Sequence, residues 1–371
     1  MTAPARVTVL GAGILGAATA HHLARQGAHV TLIDADTRDA RSTTASFACV
    51  NGSAKSDPDL CALNDRAVEE YRRIAHTLGA AAVRFTGQHF VATGPDSLRI
   101  AERRVNAACS RGYGGEILPV GTFREREPHL RLDTPPLAVA WFPADGWADP
   151  EALRAHFLTG LTMQHRKAIA ISPSGSGRLQ ITFADGDRTD TDRVVDATGA
   201  GAADIELPVS RPPLHVTSGF VVATDTDRDL VTTVVRTPQL GIRPDGPRRA
   251  LLHSHEIDRL FDHDRTTAEL AAETLLDRAR RMFPDAGHIT PRRITRGPRP
   301  TPADGKPAVG ESAILPGYYE LSAHSGITLA PLLGRLLATE ILTEFRDPIL
   351  SPFRPDWGLS GNVTRSVDGA R

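Results

Sequence analysis

Residues 6–34 constrain the fold of this chain more than any other stretch. RVTVL at 6–10 is a β-branched run that stops at the glycines of GAGILG. Residues 14–26 then carry the apolar repeat of a helix, and HVTLID at 29–34 reads as a second strand. Two strands joined through a crossover helix run parallel, with the helix covering one face of the sheet.

Gly11, Gly13 and Gly16 stand between strand and helix, and Asp34 ends the second strand eighteen residues after Gly16. In that setting the first glycine permits the tight turn, the second lets backbone approach a pyrophosphate, and the third lets helix and strand touch. The helix N-terminus favours the phosphate charge, and Asp34 is placed to accept hydrogen bonds from a ribose diol. FAD and NAD both fit this arrangement.

The 371 residues exceed what one hydrophobic core usually supports, so two closely connected domains are expected. A formal net charge of −1, with 40% hydrophobic and 23% charged residues, argues against broad attraction to nucleic acid or anionic membrane and points to a small-molecule partner. Lysine occurs only at Lys55, Lys167 and Lys306, so cationic chemistry falls mainly on arginine. Cys49, Cys61 and Cys109 lack metal-ligand spacing and cannot all pair, which fits a reducing compartment and reads as three core thiols. No charged leader and no stretch of about 18 apolar residues is read, so the expected location is cytoplasmic, as a monomer or an oligomer.

Asp57-Pro58 opens a helix to about Gly79, and Asp149-Pro150 opens another to about 165. Between them lie a strand at 85–93, a helix near 96–111 and the segment 119–130. KAIAIS, GRLQITFADG and DRVVDATGAG read as short strands, followed by a β-rich block at 214–255 and a helix at 265–282. Within RALLHSHE, His253 and His255 sit two apart and are expected on one face of a strand. RITRGPRP, YYELSA and GITLAPLLGRLLATEIL return to strand, strand, helix.

Four ordered blocks resemble the D-amino-acid oxidase superfamily of FAD-dependent oxidoreductases, especially its glycine oxidase and monomeric sarcosine oxidase branch. They are GAGILGAATAHHLARQGAHVTLID, RSTTASFACVNG, RVVDATGAGA, and RPTPADGKPAVG continuing to SAHSGITLAPLLGRLLATEIL. The resemblance spans nearly the whole chain. It implies an α/β architecture: a Rossmann-like FAD-binding domain from 1–50, 150–210 and 290–371, and an α+β substrate domain with a mainly antiparallel sheet from 51–149 and 211–289. The active site is expected at their junction.

The resemblance also implies contacts. Gly11, Gly13, Ile14, Leu15, Gly16, Asp34 and Ala35 would hold the ADP half of FAD. Ser42, Thr43 and the backbone of Ala48, Cys49 and Val50 would border pyrophosphate and ring, while Ile169, Thr198 and Gly199 would lie along the adenine side. His324, Ser325, Gly326, Ile327 and Thr328 would face the pyrimidine end, where a helix start stabilises anionic reduced flavin. Arg299 is the implied carboxylate clamp, since a guanidinium makes two parallel charge-assisted bonds to a carboxylate. His255 is the nearer match to an active-site histidine, and His324 is a second chemical candidate. No lysine stands where the sarcosine oxidase branch carries one for dioxygen; Arg248 and Arg249 precede that strand instead. The residues used for covalent attachment elsewhere in the superfamily have no counterparts, so FAD is expected to be held non-covalently.

The expected reaction is oxidation of the carbon–nitrogen bond of an amino acid or N-substituted amino acid to an imine by hydride transfer to flavin, with dioxygen or another acceptor taking the electrons. The alternatives are a flavin-dependent 2-hydroxy-acid or polyol dehydrogenase and a non-catalytic FAD-binding subunit of a dehydrogenase complex.

Overall fold

Residues 4–35, 41–79, 82–175, 177–262 and 267–355 are described by a computed structural model, in which the backbone forms two units. The first comprises Met1–Thr43, Leu153–Thr217 and Pro298–Arg371; the second comprises Thr44–Ala152 and Ser218–Gly297.

In the first unit, β1 (Arg6–Leu10), α1 (Ile14–Arg25) and β2 (His29–Asp34) form the expected strand–helix–strand crossover. A six-stranded sheet runs in the order Ala308–Glu311, Tyr318–Ser322, Arg193–Asp196, β1, β2, Met163–His165. All its neighbours are parallel except the edge strand Ala308–Glu311, so β1 is central and buried. Strands Ala168–Pro173, Leu179–Phe183 and Arg188–Thr191 make a separate antiparallel sheet. Its core of Ile171, Leu179, Ile181 and Phe183 packs with Leu10, Ile33 and Val194.

Helix Gly326–Thr343 lies against α1 closely enough that a Cβ on Gly334 would stand 2.7 Å from the Ala18 carbonyl carbon and 2.9 Å from the Thr19 nitrogen. It is long and apolar enough to cross a membrane, which the sequence reading did not expect, and 72% of it is buried within the protein. Its hydropathy reflects core packing against α1.

A buried ion pair ties the strand ends together. Asp196, 3% exposed, accepts from Arg211 Nη1 at 2.8 Å and Tyr318 Oη at 2.6 Å through Oδ2. Its Oδ1 accepts from Thr198 N at 3.1 Å and Thr198 Oγ1 at 2.6 Å.

The second unit is built on an eight-stranded sheet, ordered Ile289–Pro302, Leu214–Thr226, Arg249–His253, Gly241–Pro244, Val234–Arg236, Gln88–Ala92, Ala138–Phe142, Glu116–Leu118. Val234–Arg236 pairs with Gln88–Ala92 in parallel, while Leu214–Thr226 with Arg249–His253, Arg249–His253 with Gly241–Pro244, Gly241–Pro244 with Val234–Arg236, and Ala138–Phe142 with both its neighbours are antiparallel. One face packs Val91, Val139, Val235, Ile242 and Leu252 against helix Ala268–Met282. Asp57 caps helix Pro58–Leu78 through Asp59 N and Leu60 N, as expected. The helix expected from 149 to 165 stops at Leu158, because Gly160 adopts a positive φ of 78° and Met163–His165 joins the parallel sheet. Cys61 is buried, but Cys49 is partly exposed and Cys109 exposed, so the three thiols are not all core residues.

Asp145 is fully buried in this unit and accepts from Ser53 Oγ, from Tyr113 Oη at 2.6 Å and from Gln88 Nε2 at 3.1 Å. Burial raises its carboxyl from the ordinary 3.8 to about 6, opposed by the hydrogen bonds it accepts.

Two expected outcomes follow from these buried carboxylates. Asp196→Ala leaves Arg211 without its anion and should cost about 3–5 kcal/mol in urea unfolding, whereas Tyr318→Phe should cost about 1 kcal/mol; equal, small losses would show that the pair does not hold the turn. Because the folded Asp145 binds its proton more tightly than the unfolded chain, its contribution makes stability fall as pH rises from about 4 to 6. The size is on the order of 3 kcal/mol. Asp145→Asn should flatten that part of the stability–pH curve, and an unchanged slope would contradict the assignment.

Candidate functional site

The three glycines of the first turn are required for different reasons. Gly11 has φ +91°, and a Cβ there would lie 2.5 Å from the Ala197 carbonyl oxygen; a Cβ on Gly16 would lie 1.9 Å from the Gly11 oxygen. The protein's own backbone therefore excludes side chains at both positions. Gly13 differs, since its Cβ would meet only Thr43 Oγ1, at 3.6 Å. The room in front of Gly13 is what close approach of a ligand to backbone requires.

Three side chains hold this loop. Asp34 Oδ2 accepts from Ala12 N at 2.5 Å, Thr43 Oγ1 accepts from Ile14 N at 3.0 Å, and Arg154 Nε donates to Ala12 O at 2.5 Å. Arg154 has no local motif around it and was not singled out from sequence. Asp34 thus braces the glycine loop while standing at the end of β2, with Ala35 exposed just beyond it.

The start of helix Gly326–Thr343 adjoins the start of α1: a Cβ on Gly326 would be 3.6 Å from Ile14 Cγ2 and 3.7 Å from Leu15 Cγ. Neither helix carries a side-chain N-cap bond or an acidic residue in its first turn. Two helix starts side by side, α1 with only its Ile14 N–H taken by the Thr43 hydroxyl, concentrate partial positive charge at one end of the parallel sheet. Just before the second of them, Ser322 Oγ is buried with no hydrogen-bond partner among the described residues. The open face of Gly13, the adjacent helix starts and this orphan hydroxyl together fit a phosphorylated, anion-bearing cofactor such as FAD. In the loop that follows, His324 is exposed, Ser325 and Gly326 are partly buried, and Ile327 and Thr328 are buried.

The remaining expected cofactor residues scatter over distinct local structures. Ile169 is the extra residue of a bulge between Ala168 and Ala170, its carbonyl accepting from Glu206 N at 2.8 Å. Thr198 and Gly199 begin the turn fastened by Asp196, and Gly199 has φ +59°. Ser42 is exposed and Thr43 buried in the short helix Arg41–Thr44. Ala48, Cys49 and Val50 belong to the second unit. Ala48 has φ +55°, a strained value for a residue with a side chain, of the kind that clusters at ligand sites.

Arg299 is half-buried within strand Ile289–Pro302 and belongs to the first unit. His253 and His255 do not share a strand. The strand ends at His253, and the exposed His255 opens helix His255–Asp262. Asp258 holds that helix in place: its Oδ1 accepts from Phe220 N at 2.8 Å and its Oδ2 lies 2.8 Å from His253 Nε2. His253 Nδ1 in turn lies 3.2 Å from Arg236 Nη1. In the neutral ring this fixes the tautomer, with Nε2–H donating to Asp258 and Nδ1 accepting from Arg236. His253, His255 and Asp258 are the group best spaced for a metal among the described residues, but the adjoining guanidinium opposes a cation there.

The sequence reading also missed Arg104, Arg236 and Asp145 of the second unit. None sits in a recognisable motif. Arg236 follows the apolar pair Val234-Val235, and Arg104 lies in a helix with an ordinary charged face, so only tertiary structure shows that both are half-buried.

Comparison with known proteins places these features. The family model described as DAO, FAD dependent oxidoreductase, matches residues 6–340. The uncharacterized oxidoreductase YurR of Bacillus subtilis (strain 168) is 28% identical over 382 residues, covering 95% of this chain and 99% of its own. An opine oxidase subunit of Rhizobium meliloti is 24% identical over 368 residues, covering 94% and 96%. Among solved structures, glycine oxidase from Geobacillus kaustophilus superposes with a TM-score of 0.82 at 22% identity, over 95% of this chain and 98% of that one. Iminodiacetate oxidase (IdaA) from Chelativorans sp. BNC1 gives 0.79 at 24% identity, over 94% and 99%. L-proline dehydrogenase from P. horikoshii gives 0.80 at 20% identity, over 96% and 98%. With the fold shared end to end and the family model covering nearly the whole chain, this protein belongs to the DAO family of FAD-dependent oxidoreductases.

Proposed function

We propose that this oxidoreductase converts the carbon–nitrogen bond of an amino acid or N-substituted amino acid to the imine, using FAD held without a covalent bond. The observation that carries the reading is the set of structural neighbours. Glycine oxidase, L-proline dehydrogenase and iminodiacetate oxidase are named for substrates in which an amine nitrogen and a carboxylate share one carbon.

Bound FAD supplies the two-electron acceptance of such a reaction. The chain's own contribution begins with the glycine loop, where the α1 N-terminus and the room at Gly13 receive pyrophosphate charge. The start of helix Gly326–Thr343, with residues 324–328, offers backbone N–H groups to negative charge that develops during the reaction. Arg299 binds the substrate carboxylate and so fixes the carbon to be oxidised. An amine arriving neutral needs little further proton chemistry. The acceptor that reoxidises the cofactor is dioxygen or another electron carrier; the relative named as one component of an opine oxidase supports the latter, as does the lack of a lysine at Arg248-Arg249.

Arg299 tests this reading. Arg299→Ala should keep FAD and fold yet lose about 2–4 kcal/mol of transition-state stabilisation, read as kcat/KM for the amino acid. Arg299→Lys should recover only part of the loss, because a point charge does not restore two-bond geometry. The slow oxidation of the matching decarboxylated amine should be nearly unchanged. Equal losses for acid and amine would give Arg299 a structural role instead.

A further inference from the structure

Arg154 reaches the glycine loop from helix Pro150–Leu158, and only its Nε is used there, in the 2.5 Å bond to Ala12 O. Its Nη nitrogens make no hydrogen bond and no ion pair among the described residues, and they remain open to solvent although the side chain is half-buried. Bracing one carbonyl needs a single donor. The rest of this guanidinium, with its charge, is not explained by the fold.

Other arginines of the first unit end on acids. Arg211 meets Asp196 at 2.8 Å, Arg354 meets Glu340 at 2.6 Å and Arg166 meets Asp185 at 2.8 Å. The acid within Arg154's own helix, Glu151, is taken by Arg293 at 2.6 Å. A half-buried guanidinium without an acid is a cost to folding that a bound anion offsets.

The loop around it supplies the place for that anion. Ala12 immediately precedes Gly13, whose outer face is open, and stands two residues before the start of α1. Three side chains bond to these residues, and they differ in what they offer a phosphate. Asp34, on Ala12 N, repels it; Thr43, on Ile14 N, is neutral; Arg154, on Ala12 O, attracts it. Fixing Nε also fixes the plane of the guanidinium, so its Nη donors meet a ligand with little further loss of side-chain freedom. Helix starts contribute only about half a charge each, less than a dianionic pyrophosphate calls for.

We propose that Arg154 is a cofactor ligand: its Nε holds the Ala12 carbonyl while its Nη groups donate to the pyrophosphate of FAD. A loop that carries Asp34 for the ribose thereby gains a full positive charge for the phosphates. The proposal rests on FAD as the cofactor, which membership of the family establishes, and is independent of the amino-acid reading.

The test follows FAD release from the full-length holoenzyme by the recovery of free flavin fluorescence, with ADP and adenosine as displacing ligands. Arg154→Gln should bind FAD and ADP at least about tenfold more weakly. Adenosine, which has no phosphate, should bind both proteins alike. Arg154→Lys keeps the charge without the planar fork and should fall between them. Added salt should weaken ADP binding more steeply in the wild type than in Arg154→Gln. Circular dichroism reports whether each variant folds; should the glutamine variant fail, the same contrast between ADP and adenosine is read on Arg154→Lys. Unchanged FAD and ADP affinity in a folded variant overturns the proposal. So does a loss for adenosine as large as that for ADP, which would limit Arg154 to bracing the loop or holding the ribose.

Discussion

The first unit depends on how closely α1 is held to its surroundings. A Cβ at Gly16 would sit 1.9 Å from the Gly11 carbonyl oxygen, and one at Gly334 would meet the backbone of Ala18 and Thr19. With those contacts closed, β1 meets its helix at the tight Gly11 turn and a second helix start is brought beside the first. Each start carries about half a positive charge. A fold that must bind pyrophosphate gains this positive field from the packing of its backbone dipoles.

Charged side chains then secure what packing has positioned. Asp196 collects Arg211, Tyr318 and Thr198 at the end of the neighbouring strand, and Asp34 and Arg154 grip opposite ends of the Ala12 peptide. The second unit uses charge differently. Arg243 is consumed by backbone and Asp245, while Arg104 and Arg236 rest on aromatic rings with no ion pair among the described residues. Cation–π contact stabilises a guanidinium by roughly 0.5–2 kcal/mol, enough to hold it in place but less than a carboxylate partner would contribute.

Features encoded over a few consecutive residues were legible in the sequence. The glycine turn, Asp34, the Asp57 and Asp149 caps and the apolar repeat of Gly326–Thr343 each announce themselves by local spacing. Where the reading failed, the deciding interaction came from elsewhere. RALLHSHE alternates like a strand through His255, but the strand stops at His253 and a helix opens at His255, held by Asp258 bonding to Phe220 N and His253. The helix after Asp149 ends early because Met163–His165 finds an edge of the parallel sheet beside β2. Arg154, Arg104 and Arg236 were invisible for the same reason: each is one arginine among many until a distant carbonyl or ring receives it.

The most direct measurement of the account is anaerobic flavin absorbance on the purified holoenzyme, with a panel of amino acids, N-substituted ones included, set against their 2-hydroxy-acid counterparts. Bleaching by members of the amino-acid panel and not by the matching hydroxy acids is the predicted result. Bleaching by hydroxy acids alone, or bound FAD that no small molecule reduces, would contradict carbon–nitrogen oxidation as the activity of this chain.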